Sequence, residues 1–98
     1  MNVTVKNDAD VCTLVITDRI DTLTAPELGR IFEENADSCE KMFFDLSGVD
    51  YISSAGLRVL VSAHRKMSGK GGLILNGLTP DVLGILKMTG FDKKLNIE

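Results

Sequence analysis

Histidine and cysteine are scarce in this sequence, which limits the metal and redox sites that it can form. His64 is the only histidine, and the two cysteines, Cys12 and Cys39, lie far apart with no C-x-x-C spacing. A multi-histidine metal site is therefore excluded, and we expect no metal site. Cys12 lies in an alternating apolar run, which predicts a reduced core residue, whereas Cys39 lies at a polar connection that is open to solvent exposure.

Long apolar runs, a secretory signal and an excess of basic residues are also missing. No apolar stretch reaches the ~20 residues of a membrane-spanning helix, and the first residues, MNVTVKNDAD, lack the basic and apolar regions of a signal peptide. Lysine and arginine total 11 against 14 acidic residues, a net charge of −3, whereas nucleic-acid binding needs a basic face. We therefore expect a cytoplasmic protein that binds neither nucleic acid nor membrane.

The remaining composition is that of a small globular protein. The chain has 98 residues, of which 44% are hydrophobic and 26% are charged. This is enough for one domain with its own core. Four phenylalanines and one tyrosine are the only aromatic residues, so the core should be mostly aliphatic.

Apolar periodicity predicts the element order β-β-α-β-α-β-α. The predicted strands cover residues 2–6, 11–17, 41–46 and 73–76. The predicted helices begin at Thr24, at Ser53 or Ser54, and at Thr79, and they end near residue 38, Gly69 and Gly90. A hairpin followed by strand-helix-strand crossovers predicts an α/β fold, a mixed sheet of about four strands with three or more helices packed on it. Residues 91–98 are open to a short strand or a loosely packed tail.

Three local patterns refine this prediction. Thr24 and Glu27 have the spacing of a capping box at the start of the first helix. The run KMFFDL, residues 41–46, is nearly continuous in apolar residues, which predicts a strand covered on both faces. The apolar face of the third helix is predicted to contain Val82, Ile85 and Leu86, with Met88 as a further candidate.

The stretch DYISSAGLRVL, residues 50–60, places two adjacent serines before an apolar helix. Serine is a favoured N-cap that contributes roughly 1 kcal/mol, and one serine suffices for that role. Gly56, in the first turn, costs up to about 1 kcal/mol relative to alanine, and a close approach of another backbone would explain it. An exposed serine here would also tolerate a phosphate, because negative charge is favourable at a helix start. From the residues alone, capping is the simpler interpretation and a phosphoacceptor is the alternative.

Acidic residues lie at or just after the ends of the predicted strands. They are Asp18, Asp21, Asp45 and Asp50. In a mostly parallel sheet, such ends meet at one rim, where binding sites usually form. Solvated carboxylates are the simpler interpretation, and a shared surface beside the two serines is the alternative.

Catalytic arrangements have little support in this sequence. Ser54 and His64 are ten residues apart on one predicted helix, which separates them by about 15 Å along its axis and excludes them as a catalytic pair. The chain has no G-x-S-x-G elbow, no phosphate-binding P-loop and no G-x-G-x-x-G fingerprint. We therefore expect no enzymatic activity and no cofactor.

Two stretches, FFDLSGVDYISSAGLRVL and the weaker match IDTLTAPEL, resemble STAS domains, specifically bacterial anti-sigma factor antagonists of the partner-switching type. The resemblance covers nearly the whole chain and implies a STAS-like fold in a single domain, residues 1–98. It implies that Ser54, two residues before Gly56, is the phosphoacceptor; the choice of Ser54 over Ser53 depends on the resemblance alone. It further implies that the unphosphorylated form binds a serine-kinase anti-sigma factor, that phosphorylation ends this binding, and that a serine phosphatase restores it.

The resemblance also implies a partner-binding surface. Asp21 matches the acidic residue beside the acceptor, and the helix from Ala55 onward supplies the other part. The predicted partner-binding residues are Asp21, Thr24, Asp50, Ser53, Ser54, Ala55, Gly56 and Arg58. We expect the free protein to be a monomer. The alternative function is a STAS-type scaffold or ligand-sensing module of a larger signalling assembly, in which Ser54 is only a cap.

Overall fold

A five-stranded mixed sheet organises the computed structural model, which describes residues 1–98. The elements are β1 (Val3–Asp8), β2 (Val11–Ile16), α1 (Ala25–Ala36), β3 (Lys41–Asp45), α2 (Ser54–Met67), β4 (Gly72–Asn76), α3 (Pro80–Thr89), a 3₁₀ turn (Phe91–Lys93) and β5 (Asn96–Ile97). The strand order is β1-β2-β3-β4-β5. β1 is antiparallel to β2, and every later pair is parallel. The predicted α/β mixed sheet is confirmed, and the C-terminal residues add a short fifth strand.

The helices cover one face of the sheet. Alternate strand residues on that face are buried, and they form one core of 23 residues with the buried residues of all three helices. Because the strands follow each other in sequence order, right-handed crossovers place their helices on the same side. Phe44 is fully buried on the covered face, whereas Phe43 is half-buried on the other. The expectation that residues 41–46 are covered on both faces is therefore wrong.

The two cysteines are free thiols in the core. Cys12 is fully buried and Cys39 is nearly so, which corrects the expectation that Cys39 is open to solvent. The Cys39 sulfur lies 3.4 Å from the Asn35 carbonyl oxygen, because the chain folds back against the last turn of α1. Burial, together with the neighbouring Cys39 thiol, raises the pKa of Cys12. Cys12 is therefore in the less nucleophilic thiol form.

The third helix follows its predicted boundaries but not its whole predicted face. The Thr79 hydroxyl accepts a hydrogen bond from the Val82 amide at 3.3 Å, and Gly90 ends the helix in the left-handed conformation with φ of 79°. Met88 is 88% exposed, so its assignment to the buried face is wrong. It follows the buried Leu86 by two residues, which places it on the opposite side of the helix.

Candidate functional site

The two adjacent serines at the start of α2 have different surroundings. Ser53 is the N-cap, in an extended conformation, and its hydroxyl accepts a hydrogen bond from the Gly56 amide at 3.2 Å. Ser54 is the first residue of the helix and is exposed. Of the two hydroxyls, only that of Ser53 forms a hydrogen bond within the chain. The side-chain cap is therefore supplied by Ser53, and Ser54 is open to solvent.

Gly56 lies where the loop before α1 crosses the start of α2. A Cβ at this position would lie 2.7 Å from Ile20 Cγ2 and 2.9 Å from the Ile20 carbonyl oxygen. The predicted close approach of another backbone is confirmed. Ile20 pairs with Ile52 in a parallel bridge, in which the Ile20 amide donates to the Tyr51 carbonyl at 2.9 Å and the Ser53 amide to the Ile20 carbonyl at 2.8 Å. The loop is thus fixed against Tyr51 and Ser53, the residues just before α2.

Asp21 is held by its own loop, beside the bridge. Its carboxylate accepts hydrogen bonds from the amides of Leu23 at 2.9 Å and Thr24 at 3.0 Å, and it lies 3.2 Å from the Arg19 guanidinium. The Thr24 amide is the largest of several causes that lower the pKa of Asp21. The predicted acidic residue is therefore an ordered carboxylate that stays charged in mildly acidic solution.

Thr24 is adjacent to α1 but does not cap it with its side chain. Its hydroxyl donates to the Arg19 carbonyl at 2.7 Å and accepts from the Asp21 amide at 2.8 Å. Thr24 has helical dihedral angles, φ −94° and ψ −23°, whereas a side-chain cap needs an extended residue. Glu27 instead contacts the N-terminal amine of Met1 at 3.3 Å. The predicted capping box is wrong, and Thr24 closes the loop rather than the helix.

Two exposed apolar residues on either side of the bridge were missed by sequence reasoning. Leu23 is 87% exposed in the loop before α1, and Tyr51 is 41% exposed in the loop before α2. The Arg19 guanidinium lies 4.8 Å from the centre of the Tyr51 ring, within cation–π range. The available signal was an apolar residue in the middle of the polar segment DTLT. Exposed residues of this type often mark protein interaction sites.

The predicted acidic rim is only partly assembled. Asp18 and Asp50 line one shallow cavity together with Arg19 and Ser47. Asp21 faces its own loop instead. Asp45 turns back to accept a hydrogen bond from the Ser47 amide at 3.0 Å, which is the largest cause of its lowered pKa. The four carboxylates are therefore divided among separate local contacts.

Two grooves run along the sides of α2. The first, of about 410 Å³, lies between α1 and α2 and is lined mainly by small and apolar groups, among them Phe32, Ala55 and Val59. The second, of about 610 Å³, lies between α2 and residues 91–94 and includes Ser54. Arg58 is exposed and lines both grooves.

Comparison with known proteins identifies the family. The STAS domain family model matches residues 2–98, so the chain belongs to the STAS domain family. No curated protein sequence matches it. None of its helices combines the length and apolar character needed to span a membrane.

Several solved structures of similar fold are anti-sigma factor antagonists. The anti-sigma factor antagonist of Mycobacterium paratuberculosis has a TM-score of 0.87 and 27% identity, over 98% of this chain and 83% of that one. A Thermotoga maritima protein assigned to the same class has a TM-score of 0.85 and 27% identity, over 97% and 84%. The Bacillus cell fate determinant SpoIIAA, in its phosphorylated form, has a TM-score of 0.74 over 99% and 91%. Its 9% identity shows the fold alone.

The structure brings most of the predicted site residues to one region. Asp21 and Thr24 lie in the loop that the Ile20–Ile52 bridge fixes against the start of α2, and Asp50 is exposed in the loop just before that bridge. The other predicted residues are Ser53, Ser54, Ala55, Gly56 and Arg58, all at the start of α2. Gly56 is buried, so it shapes the surface rather than contacting a partner directly. The roles of these residues in partner binding and phosphorylation stay predictions.

Proposed function

We propose that this protein is an anti-sigma factor antagonist in a phosphorylation-controlled partner switch, and that it acts as a single STAS domain, monomeric when free, in the cytoplasm. The observation that carries the proposal is the exposed Ser54 hydroxyl, which is free because Ser53 already caps the helix. In the unphosphorylated form the protein binds a serine-kinase anti-sigma factor. Phosphorylation of Ser54 ends this binding, and a serine phosphatase restores it.

The proposed docking surface consists of the loop 18–24, Tyr51 in the loop before α2, and the start of α2. Leu23 and Tyr51 supply exposed apolar area, and Asp21 supplies a fixed negative charge. Apolar and aromatic anchors surrounded by charged groups are typical of protein interfaces. The Ile20–Ile52 bridge joins the two segments, so the loop and the start of α2 form one surface that a single partner can contact.

Phosphorylation would proceed by transfer from ATP bound to the kinase. The Ser54 hydroxyl oxygen attacks the γ-phosphorus, the bond from that phosphorus to the bridging oxygen breaks, and ADP leaves. The hydroxyl proton passes to a base on the kinase. The product carries about 1.5 to 2 additional negative charges at the centre of the docking surface, where they must be desolvated for the partner to bind.

The position of Ser54 explains why the fold would survive this change. An exposed residue at a helix N-terminus gains from added negative charge, by roughly 0.3–1 kcal/mol. The Ser54 side chain also forms no hydrogen bond within the chain that a phosphate would break. The modification should therefore act on the interface and leave the folded structure intact.

The test compares the two serines directly. Each serine-kinase anti-sigma factor of the source genome is incubated with Mg-ATP and with the parent protein, Ser54→Ala or Ser53→Ala, and the phosphate is located by mass spectrometry. We expect phosphate on Ser54 in the parent and in Ser53→Ala, and none in Ser54→Ala. Phosphate on Ser53, or on neither serine with every kinase, contradicts the proposal.

A charge substitution provides a second test of the same switch. We expect Ser54→Asp to weaken kinase binding at least tenfold by calorimetry, because it places a charge in the interface. Its free energy of unfolding should stay within about 0.5 kcal/mol of the parent. Unchanged binding, or a large loss of stability, would favour Ser54 as a purely structural residue.

The α1–α2 groove supports one alternative function. Its apolar lining and volume of about 410 Å³ suit a small apolar ligand, as expected for a ligand-sensing STAS module without regulatory phosphorylation. NMR titration with a library of small apolar compounds distinguishes the two functions. Saturable shifts at Phe32 and Val59, together with no phosphorylation of Ser54, would favour the sensing module.

A further inference from the structure

The second groove beside α2 is strongly basic. Three cationic side chains line it, Arg58 and Arg65 from α2 and Lys94 from the segment after the 3₁₀ turn, and no carboxylate does. We call this the basic groove. Ser54 lies on its lining with these cations, and Phe91 supplies part of its apolar wall. The whole chain has a net charge of −3, so this positive charge is a local feature of the groove.

The three cations of the basic groove do not hold the fold together through ion pairs. Arg30 and Lys66 form ion pairs with carboxylates at 2.8 and 2.7 Å, but Arg58, Arg65 and Lys94 form none. The Lys94 ammonium contacts only the Phe91 ring, 5.6 Å from its centre. The positive charge of the basic groove is therefore not neutralised within the unmodified chain and is available to bind an anion.

We propose that the basic groove holds the phosphate of Ser54, with Arg58 and Lys94 as its ligands; this inference depends on the proposed function. Ser54 and Arg58 are separated by four residues, so their side chains lie on the same face of α2. Lys94, from the segment after the 3₁₀ turn, lines the same groove. Arg65 is eleven residues beyond Ser54, about 16 Å along the helix axis, too far to contact the phosphate.

This arrangement gives phosphorylation a second effect besides the desolvation cost of the added charge. Arg58 lines both the basic groove and the α1–α2 groove, so its side chain lies between the two grooves. Once the phosphate binds Arg58 in the basic groove, the guanidinium is no longer available to an acidic group of the partner. The phosphorylated chain thus neutralises its own phosphate and withdraws a partner contact in the same step.

The test uses phosphoserine installed at position 54 during translation, so that it does not depend on any kinase. Phosphorus NMR follows the second ionisation of the phosphate, in the folded chain and in the same chain unfolded in urea. Neighbouring cations favour the dianion, so we expect the pKa in the folded chain to fall by about half a unit below its ordinary value near 6. Arg58→Ala and Lys94→Ala should each reverse a large part of this fall.

Matched controls separate the groove from general charge. Lys93→Ala removes the neighbouring cation, which does not line the groove, and Arg65→Ala removes the distant one; both should leave the pKa unchanged. The helix N-terminus acts equally in all variants. A folded parent that titrates like the unfolded chain, or a fall that survives both Arg58→Ala and Lys94→Ala, overturns the inference. A Lys93→Ala effect as large as that of Lys94→Ala also overturns it. Absence of phosphorylation by kinases would instead contradict the proposed function.

Discussion

Hydroxyl residues at the starts of α1 and α2 have different structural roles. At α1 the Thr24 hydroxyl forms two hydrogen bonds inside the preceding loop. At α2 the Ser53 hydroxyl caps the helix and the Ser54 hydroxyl has no partner in the chain. The difference leaves the Ser54 hydroxyl, unlike that of Thr24, without a role in holding the local backbone. Modification of Ser54 therefore leaves the cap in place, whereas modification of Thr24 would break the loop.

The largest expected effect concerns the crossing that joins the two helix starts. We expect Gly56→Ala to destabilise the protein by about 1–3 kcal/mol, because its Cβ would overlap Ile20 at 2.7 Å. Gly84 is the matched control, since a Cβ there meets nothing within 4 Å, and Gly84→Ala should stabilise the helix by up to about 1 kcal/mol. Urea denaturation measures both. A neutral Gly56→Ala would mean that the loop moves away from α2 at little cost.

A smaller change in stability should distinguish the loop hydrogen bonds of Thr24 from the helix cap of Ser53. Thr24→Val removes both a donor and an acceptor from the loop, at about 1–2 kcal/mol, whereas Ser53→Ala removes one capping bond, at about 1 kcal/mol. Thr22→Val, at an exposed position of the same loop, should change stability by less than about 0.5 kcal/mol. Urea denaturation ranks the three variants. If Thr22→Val costs as much as Thr24→Val, the hydrogen bonds of Thr24 are not what holds the loop.

The smallest expected effect is a pH dependence of protein stability that arises from Asp21 in the loop before α1. Because the pKa of Asp21 is lowered in the folded state, its charge stabilises the fold above the ordinary carboxyl pKa of about 3.9. That stabilisation is lost as the pH falls through the lowered value. We expect Asp21→Asn to be less stable than the parent near neutral pH and to approach it in acid. Thermal unfolding from pH 7 to pH 2 measures the difference, and parallel curves would contradict the assigned hydrogen bonds.

The sequence predicted the sheet well because its strands carry a strong periodic signal. Cys12, Leu14 and Ile16 alternate with less buried residues in β2, and Gly90 marked the end of α3. The prediction that KMFFDL, residues 41–46, is covered on both faces was wrong because Phe43 and Phe44 are equally apolar. Composition alone therefore could not show which of the two side chains lies on the face that the helices cover. Only the position of the helices on one side decides between them.

Features of the candidate site that depend on one residue and its chain neighbours were predictable from the sequence. Features that depend on tertiary packing were not. A serine cap at the start of α2 and the close approach at Gly56 follow from the preferences of single residues, whereas the choice between Ser53 and Ser54 depended on the family resemblance. Thr24 was misassigned because capping depends on backbone dihedral angles that the sequence does not specify. The sequence could not place Lys94 on the same groove as Ser54, because the two residues are far apart in the chain and line one groove only after folding.

The Ile20–Ile52 bridge has a consequence for the speed of partner exchange. Since hydrogen bonds at both ends of the bridge hold the loop in place, its residues need not search for a binding conformation after an encounter. Rigid surfaces of this kind bind with little loss of conformational entropy, and differences in affinity then appear mainly in the dissociation rate. Under the proposed function, we therefore expect the two phosphorylation states to differ mainly in the dissociation rate of the kinase complex.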